Sequence, residues 1–239
     1  MNDCVISKNL SRIRQQIATC CTRYGRDVND VNLLAVSKTR SEDLVDEAIA
    51  AGQHHFGENY LQEALAKIQA TAGTPGEWHY IGAIQSNKTR LIAENFSWVH
   101  TVASEKVARR LSDQRPGHLP PLRIMVQINL NDEASKAGIR PTGARSLLAA
   151  ISGLPGLEIR GLMTIPRPEA RLDAQRSNFH EMALLLETLR ADGALALPGL
   201  RDLSMGMSGD MEAAIAEGAT WLRIGTAIFG QREPTNPRN

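Results

Sequence analysis

The sequence predicts an α/β fold in which eight parallel strands, each followed by a helix, close into a (β/α)8 barrel. Three observations carry that expectation. Short β-rich apolar runs alternate with segments of helical periodicity along nearly the whole chain, which implies a parallel sheet. Eight such runs occur, their starts spaced by about 27 residues between positions 32 and 221, the size of a βα unit and the number that closes a sheet on itself. An open doubly wound sheet carries a GxGxxG turn after its first strand, and here that strand ends in Ser37-Lys38-Thr39.

The elements follow in order. An extra amphipathic helix at the N-terminus, residues 1–25, presents Ile6, Leu10, Ile13 and Ile17 on one face. Residues 32–37 form the first strand. Ser41 then reads as an N-cap, Glu42 and Asp43 as an acidic first turn, and Leu44, Val45, Ala48 and Ile49 as the buried face. Gly52 is the C′ glycine of that helix. Residues 54–56 form the second strand, and the helix after it carries Leu61, Ala64, Leu65 and Ile68. Strands three to eight are residues 78–81, 98–100, 122–128, 157–162, 201–204 and 221–224. Proline-rich stretches at 115–121 and 166–168 are loops, and 233–239 is a polar tail. No linker or shift in composition divides the chain, so residues 1–239 are expected to form one domain.

Composition narrows the function classes. The chain has 239 residues, 42% hydrophobic and 22% charged, and 27 Lys plus Arg against 26 Asp plus Glu leave a formal charge of +1. No basic stripe is present to attract nucleic acid or an anionic membrane. No apolar run approaches the roughly 18 residues needed to span a bilayer. The N-terminus lacks the pattern of a secretory signal, so a cytoplasmic location is expected. Cys4, Cys20 and Cys21 are odd in number and include an adjacent pair, which suits reduced thiols rather than a disulfide framework. CxxC and Cys/His metal spacings are absent, and no metal site is expected.

Chemistry in such a barrel sits at the C-terminal ends of the strands. The seventh strand runs into Gly206, Ser208 and Gly209 and the eighth into Gly225 and Thr226, glycines and hydroxyls where barrels commonly hold a phosphate. A helix starting near Asp210 would turn its positive end the same way. Lys38 follows the apolar run 33–36 at the barrel mouth. Desolvation and a neighbouring cation such as Arg223 favour a neutral amine, the form that attacks an aldehyde to give a Schiff base. A phosphate grip opposite that amine points to pyridoxal 5′-phosphate (PLP), with sugar-phosphate chemistry as the competitor. Arg223 stands two residues before Gly225 and points into the barrel. A guanidinium beside the pyridine nitrogen would keep it unprotonated and weaken the electron sink; pairing with a barrel carboxylate is the alternative role.

Five blocks carry a resemblance. They are Leu34-Ala35-Val36-Ser37-Lys38-Thr39, Phe56-Gly57-Glu58-Asn59-Tyr60, Trp78-His79-Tyr80-Ile81-Gly82 with Gln85-Ser86-Asn87-Lys88, Ser204-Met205-Gly206-Met207-Ser208, and the run from Arg223 through Gly225-Thr226 to Gly230. In order, over about residues 8–232, they closely resemble the pyridoxal phosphate homeostasis protein family. The resemblance implies a single TIM barrel of the alanine racemase N-terminal type. It implies PLP held as an internal aldimine on Lys38, with Ser208, Gly225 and Thr226 on the phosphate and Arg223 near the ring nitrogen. Asn59 and His79 belong to blocks lining the same cavity. Ala83-Ile84 and Gly209 depart mildly from the family pattern, the second within the phosphate loop.

The function so implied is PLP binding in intracellular vitamin B6 homeostasis. The protein would buffer or deliver the cofactor, with PLP-dependent apo-enzymes as recipients and effects on amino-acid and keto-acid balance, without robust turnover. A monomer is expected. The alternative is a PLP-dependent, racemase-like enzyme. Two-base racemisation needs a group opposite Lys38, which alanine racemase takes from a second β-rich domain, and only residues 231–239 follow the last block here. Tyr60 is the substitute on offer, although a helix start implies a packing role. A sugar-phosphate isomerase would need a carboxylate at the mouth, for which Glu58 is the candidate. Lys136, in the loop after the fifth strand, is read as facing solvent.

Overall fold

The fold is described from a computed structural model covering residues 5–131 and 137–231; Cys4, Lys136 and the tail 233–239 lie outside the described residues. The strands are β1 (Asn32–Val36), β2 (His55–Glu58), β3 (Glu77–Tyr80), β4 (Trp98–Val102), β5 (Leu122–Ile128), β6 (Leu157–Thr164), β7 (Asp202–Ser204) and β8 (Trp221–Ile224). They pair in sequence order, all parallel, and β8 returns to β1 in a register running from Asn32↔Trp221 to Ala35↔Ile224, which closes the barrel.

Helices α1 (Val5–Arg23), α2 (Glu42–Ala50), α3 (Leu61–Ala70), α4 (Thr89–Asn95), α5 (Glu105–Asp113), α6 (Ala144–Ile151), α7 (Leu172–Ala191), α8 (Met211–Ala216) and α9 (Thr226–Phe229) cover the outside. The last two, α8 and α9, are only 6 and 4 residues long. The N-terminal helix lies against both. It packs on α2, α8 and α9, burying the expected Ile6, Leu10, Ile13 and Ile17 together with Cys20 and Cys21, at about 1.5–3 kcal/mol for each large apolar side chain. Asn9 fixes the contact by donating to the Ile228 carbonyl at 2.9 Å. Burial pushes the Cys20 and Cys21 thiols up, away from reactivity.

β5 and β8 match the expected bounds, whereas several other strands run past their apolar stretches. β2 extends to Glu58, β4 to Val102 and β6 to Thr164. Polar side chains in those extensions find partners. Thr164 Oγ1 donates to the Ile128 carbonyl at 3.0 Å and Thr101 Oγ1 to the Gly82 carbonyl at 2.7 Å, so both buried hydroxyls are paired. Ser41 occupies the N-cap of α2 without a side-chain capping bond. Gly52 adopts the positive φ expected of it.

Alternation along the strands divides the interior in two. Phe56, Trp78 and Tyr80 face the helices. Leu34, Ile81, Trp98, Met125, Met163 and Trp221 fill the barrel itself, together with buried His79, His100, Ser204 and Arg223. No described helix is long and apolar enough to cross a membrane.

Candidate functional site

The segment bearing Lys38 is held from three sides. Ser37 N–H donates to the Gly57 carbonyl at 3.1 Å, and its hydroxyl donates to Glu58 Oε1 at 2.7 Å. Its carbonyl accepts from Lys67 Nζ at 2.6 Å. Lys67, 2% exposed on α3, also binds Glu58 at 2.7 Å and Glu63. Glu63 in turn accepts the Thr39 N–H. Thr39 sits at φ +60, a left-handed conformation that a β-branched residue adopts only when its surroundings impose it. Lys38 therefore leaves β1 on a braced turn. Burial pushes the Glu58 carboxyl up, against the opposing pull of Lys67 and Ser37. Glu58 is fully buried in this brace and does not line the mouth, so the carboxylate that an isomerase reading needs there is committed elsewhere.

A pocket of about 360 Å³ opens at the C-terminal ends of the strands. Lys38, Asn59, Ser208, Arg223, Gly225 and Thr226 line it, joined by Arg40, Ile81, Met163 and Gly209 among others. Its volume falls in the ~300–1,000 Å³ range of small-molecule sites. Two close approaches assemble it. A Cβ on Gly82 would lie 2.1 Å from the Asn59 carbonyl oxygen, and one on Gly225 would lie 3.1 Å from that of Val36. Glycine thus lets the turn after β3 press on Asn59, and lets the end of β8 lie against the end of β1. The loop after β7 is folded by Asp210 Oδ1, which accepts the Met207 N–H at 2.6 Å, placing Ser208 and Gly209 at the rim.

Arg223 is the buried charge of the site, 5% exposed. Its guanidinium donates to Ser204 Oγ and to the Thr164 carbonyl, each at 2.8 Å. No carboxylate hydrogen-bonds it among the described residues, which sets aside the barrel-carboxylate role. Burial pushes its pKa down to about 10, with Asp210 opposing, so it stays cationic at neutral pH. Below it a chain of rings descends the barrel. His100 Nδ1 lies 2.9 Å from Ser204 Oγ, His79 Nδ1 lies 3.0 Å from His100 Nε2, and His55 Nδ1 lies 3.2 Å from His79 Nε2. Burial, then neighbouring His100, His55 and Arg123, holds His79 well below the ordinary imidazole range. Burial and Arg223 do the same to His100.

Of the expected site residues, six share the pocket. His79 does not line it. That side chain is fully buried in the barrel and reaches Arg223 only through His100 and Ser204. Tyr60 caps α3 at 57% exposure and is also outside the pocket lining. Sequence reasoning missed Arg40, which lines the pocket and donates to the Gly230 and Gln231 carbonyls beyond α9. It also missed the Glu63–Lys67 brace. The i,i+4 acid–base spacing in α3 was the available signal for that pair.

The pocket's residues suit the cofactor by their chemistry. One amine, two guanidiniums and two hydroxyls line a single space, and Asn59 Oδ1 is buried there without a hydrogen-bond partner, a polar atom left for a ligand.

The alanine racemase N-terminal domain family matches residues 8–233. A Pseudomonas aeruginosa protein named pyridoxal phosphate homeostasis protein is 51% identical over 95% of this chain and 96% of its own. Its Escherichia coli namesake is 49% identical over 98% of each. Among solved structures, PipY of Synechococcus elongatus, with PLP bound, superposes with a TM-score of 0.83 at 36% identity, over 94% of this chain and 100% of PipY. Alanine racemase from Corynebacterium glutamicum shares the barrel, with a TM-score of 0.67 at 18% identity over 98% of this chain and 62% of that one. On this evidence the chain belongs to the pyridoxal phosphate homeostasis protein family, within the wider group built on the alanine racemase N-terminal barrel.

Proposed function

We propose that this protein binds PLP in the Lys38 pocket, with Lys38 as its Schiff-base lysine, and buffers or delivers the cofactor in intracellular vitamin B6 homeostasis. The observation that carries this reading is the shared opening of Lys38, Arg223, Ser208 and Thr226 onto one space of about 360 Å³. The relatives' names and the PLP held by PipY support it. Ser208 and Thr226 offer hydroxyls to the phosphate, Gly209 and Gly225 let backbone approach it, and Asn59 offers its free amide oxygen. Bound there, the cofactor supplies an electrophilic aldehyde carbon and an electron-withdrawing ring.

A guanidinium carries only donors, so Arg223 meeting a pyridine nitrogen leaves it unprotonated and the ring a weak electron sink. That favours holding over turnover. The racemase-like alternative needs an acid–base group facing Lys38, and Tyr60 at the solvent-exposed cap of α3 is poorly placed for it. The protein acts, in this reading, as a cytoplasmic monomer, with PLP-dependent apo-enzymes as recipients and amino-acid and keto-acid balance as the downstream effect.

Dialysed protein is expected to retain vitamin B6 and a visible absorption band, and to reactivate an added PLP-dependent apo-enzyme. Incubation with L- and D-amino acids is expected to give no sustained turnover. Colourless protein free of vitamin B6 contradicts the binding, and steady turnover abolished in Lys38→Ala contradicts the carrier role.

A further inference from the structure

The opposite end of the barrel holds a second convergence of ligand-type atoms. His55 and Glu77 open β2 and β3 and stand in register, and His79, two residues along β3, points to the same face. His55 Nδ1 lies 3.2 Å from His79 Nε2 and 3.2 Å from Glu77 Oε2. One donor atom from each of the three lies within 4.8 Å of the others. Two ligands bound at ~2.0–2.1 Å around a tetrahedral ion stand about 3.3–3.4 Å apart. Two of the three edges are close to that length, and the third is at most 4.8 Å.

For His79 and Glu77 the atoms that would not ligate are held by other partners. His79 turns its other nitrogen to His100 at 3.0 Å, and Glu77 turns Oε1 to the Arg123 guanidinium at 2.7 Å. Fixed outer partners of this kind orient metal-binding imidazoles and carboxylates. As a plain hydrogen-bond cluster the trio is poorly matched, since His55 Nδ1 faces both a carboxylate oxygen and an imidazole nitrogen and can hold one proton at most. Access exists as well. The His55 and Glu77 side chains are 29% and 27% exposed, and a cavity of about 210 Å³ runs beside His55 between α1 and β1.

We propose that His55, Glu77 and His79 form a site for a divalent transition-metal cation of the zinc class, with the remaining coordination position left to water. Two imidazoles and one carboxylate are the donor set of such ions rather than of calcium or magnesium. A cation on His79 Nε2 places the ring proton on Nδ1, where it donates to His100. The His100 proton is then on Nδ1, facing Ser204 beside Arg223. Metal at one end thereby sets one direction for the hydrogen bonds leading to the pocket at the other.

The test uses full-length, tag-free protein titrated with Co2+ and Zn2+, read by visible absorption of bound Co2+ and by calorimetry. Lys38→Ala provides a chain without the cofactor's band. The expected result is a single Co2+ per chain in the wild type and in Lys38→Ala. His55→Ala and Glu77→Gln should each weaken binding at least about tenfold while circular dichroism shows the fold intact. His180→Ala, which removes the surface histidine paired with Glu217, should bind like the wild type. Absence of stoichiometric binding, equal affinity in folded His55→Ala and Glu77→Gln, or loss of binding in Lys38→Ala would each overturn the proposal.

Discussion

At the C-terminal ends of the strands, Lys38, Arg40 and Asn59 face a pocket of about 360 Å³. At the N-terminal half of the same barrel, Trp98 and Trp221 close on His79 with ring centroids 5.4 and 4.7 Å away. One half opens on the Lys38 pocket, whereas the other packs rings around His79. Parallel strands make the contrast possible, because all their C-termini emerge on one side, where turns and loops can present functional groups. The two halves differ in their bracing too. The pocket turn leans on the buried Lys67–Glu58 pair, with side chains 2% and 0% exposed, whereas the His55–Glu77 pair at the other end is 29% and 27% exposed.

That difference sets the order of expected effects. Lys67→Met strands the buried Glu58 carboxyl without its cation, and is expected to cost about 3–5 kcal/mol of unfolding free energy in urea titrations. Glu58→Gln combined with Lys67→Met should recover part of the loss, and a cost below about 1 kcal/mol would show that the brace is not structural. Arg223→Met removes the charged donor proposed to meet the ring nitrogen, together with its anchoring bonds to Ser204 and Thr164. PLP affinity measured by fluorescence titration should fall about 10- to 100-fold, given ~1.5–3 kcal/mol for such bonds.

Ser208→Ala should weaken PLP binding about tenfold while leaving phosphate-free pyridoxal unchanged, since only one hydroxyl contact is lost. Equal losses for the two ligands would place Ser208 away from the phosphate. The smallest effect is expected at the far end. In metal-free buffer, His55→Ala should shift unfolding free energy by less than about 1 kcal/mol, as partly exposed ion pairs contribute little.

Much of the fold is legible in the sequence because burial and periodicity coincide. The stripe Ile6, Leu10, Ile13 and Ile17 is apolar at helical spacing and is buried as expected. β5 and β8 are apolar except at Arg123, Gln127 and Arg223, and all but Arg123 are buried. Strand ends are harder to read where polar residues continue the ladder, as at Thr101 and Thr164, because their hydrogen-bond partners are distant in sequence, in the turn after β3 and on β5. The pocket was readable from six residues that lie at, or follow, the C-terminal ends of strands. His79 was misplaced because its block adjoins the cavity in sequence while the β3 pleat sends its ring downward among tryptophans. The His55, Glu77 and His79 cluster matches no sequence motif, since its ligands meet through the register of two strands rather than through local spacing.

The covalent anchor is tested most directly by borohydride reduction of the PLP-loaded protein, followed by peptide mass analysis. The account predicts a reduced pyridoxyl-phosphate adduct on the peptide containing Lys38 and on no other, with none in Lys38→Ala. An adduct on a different lysine, or no adduct on protein shown to contain PLP, would contradict it.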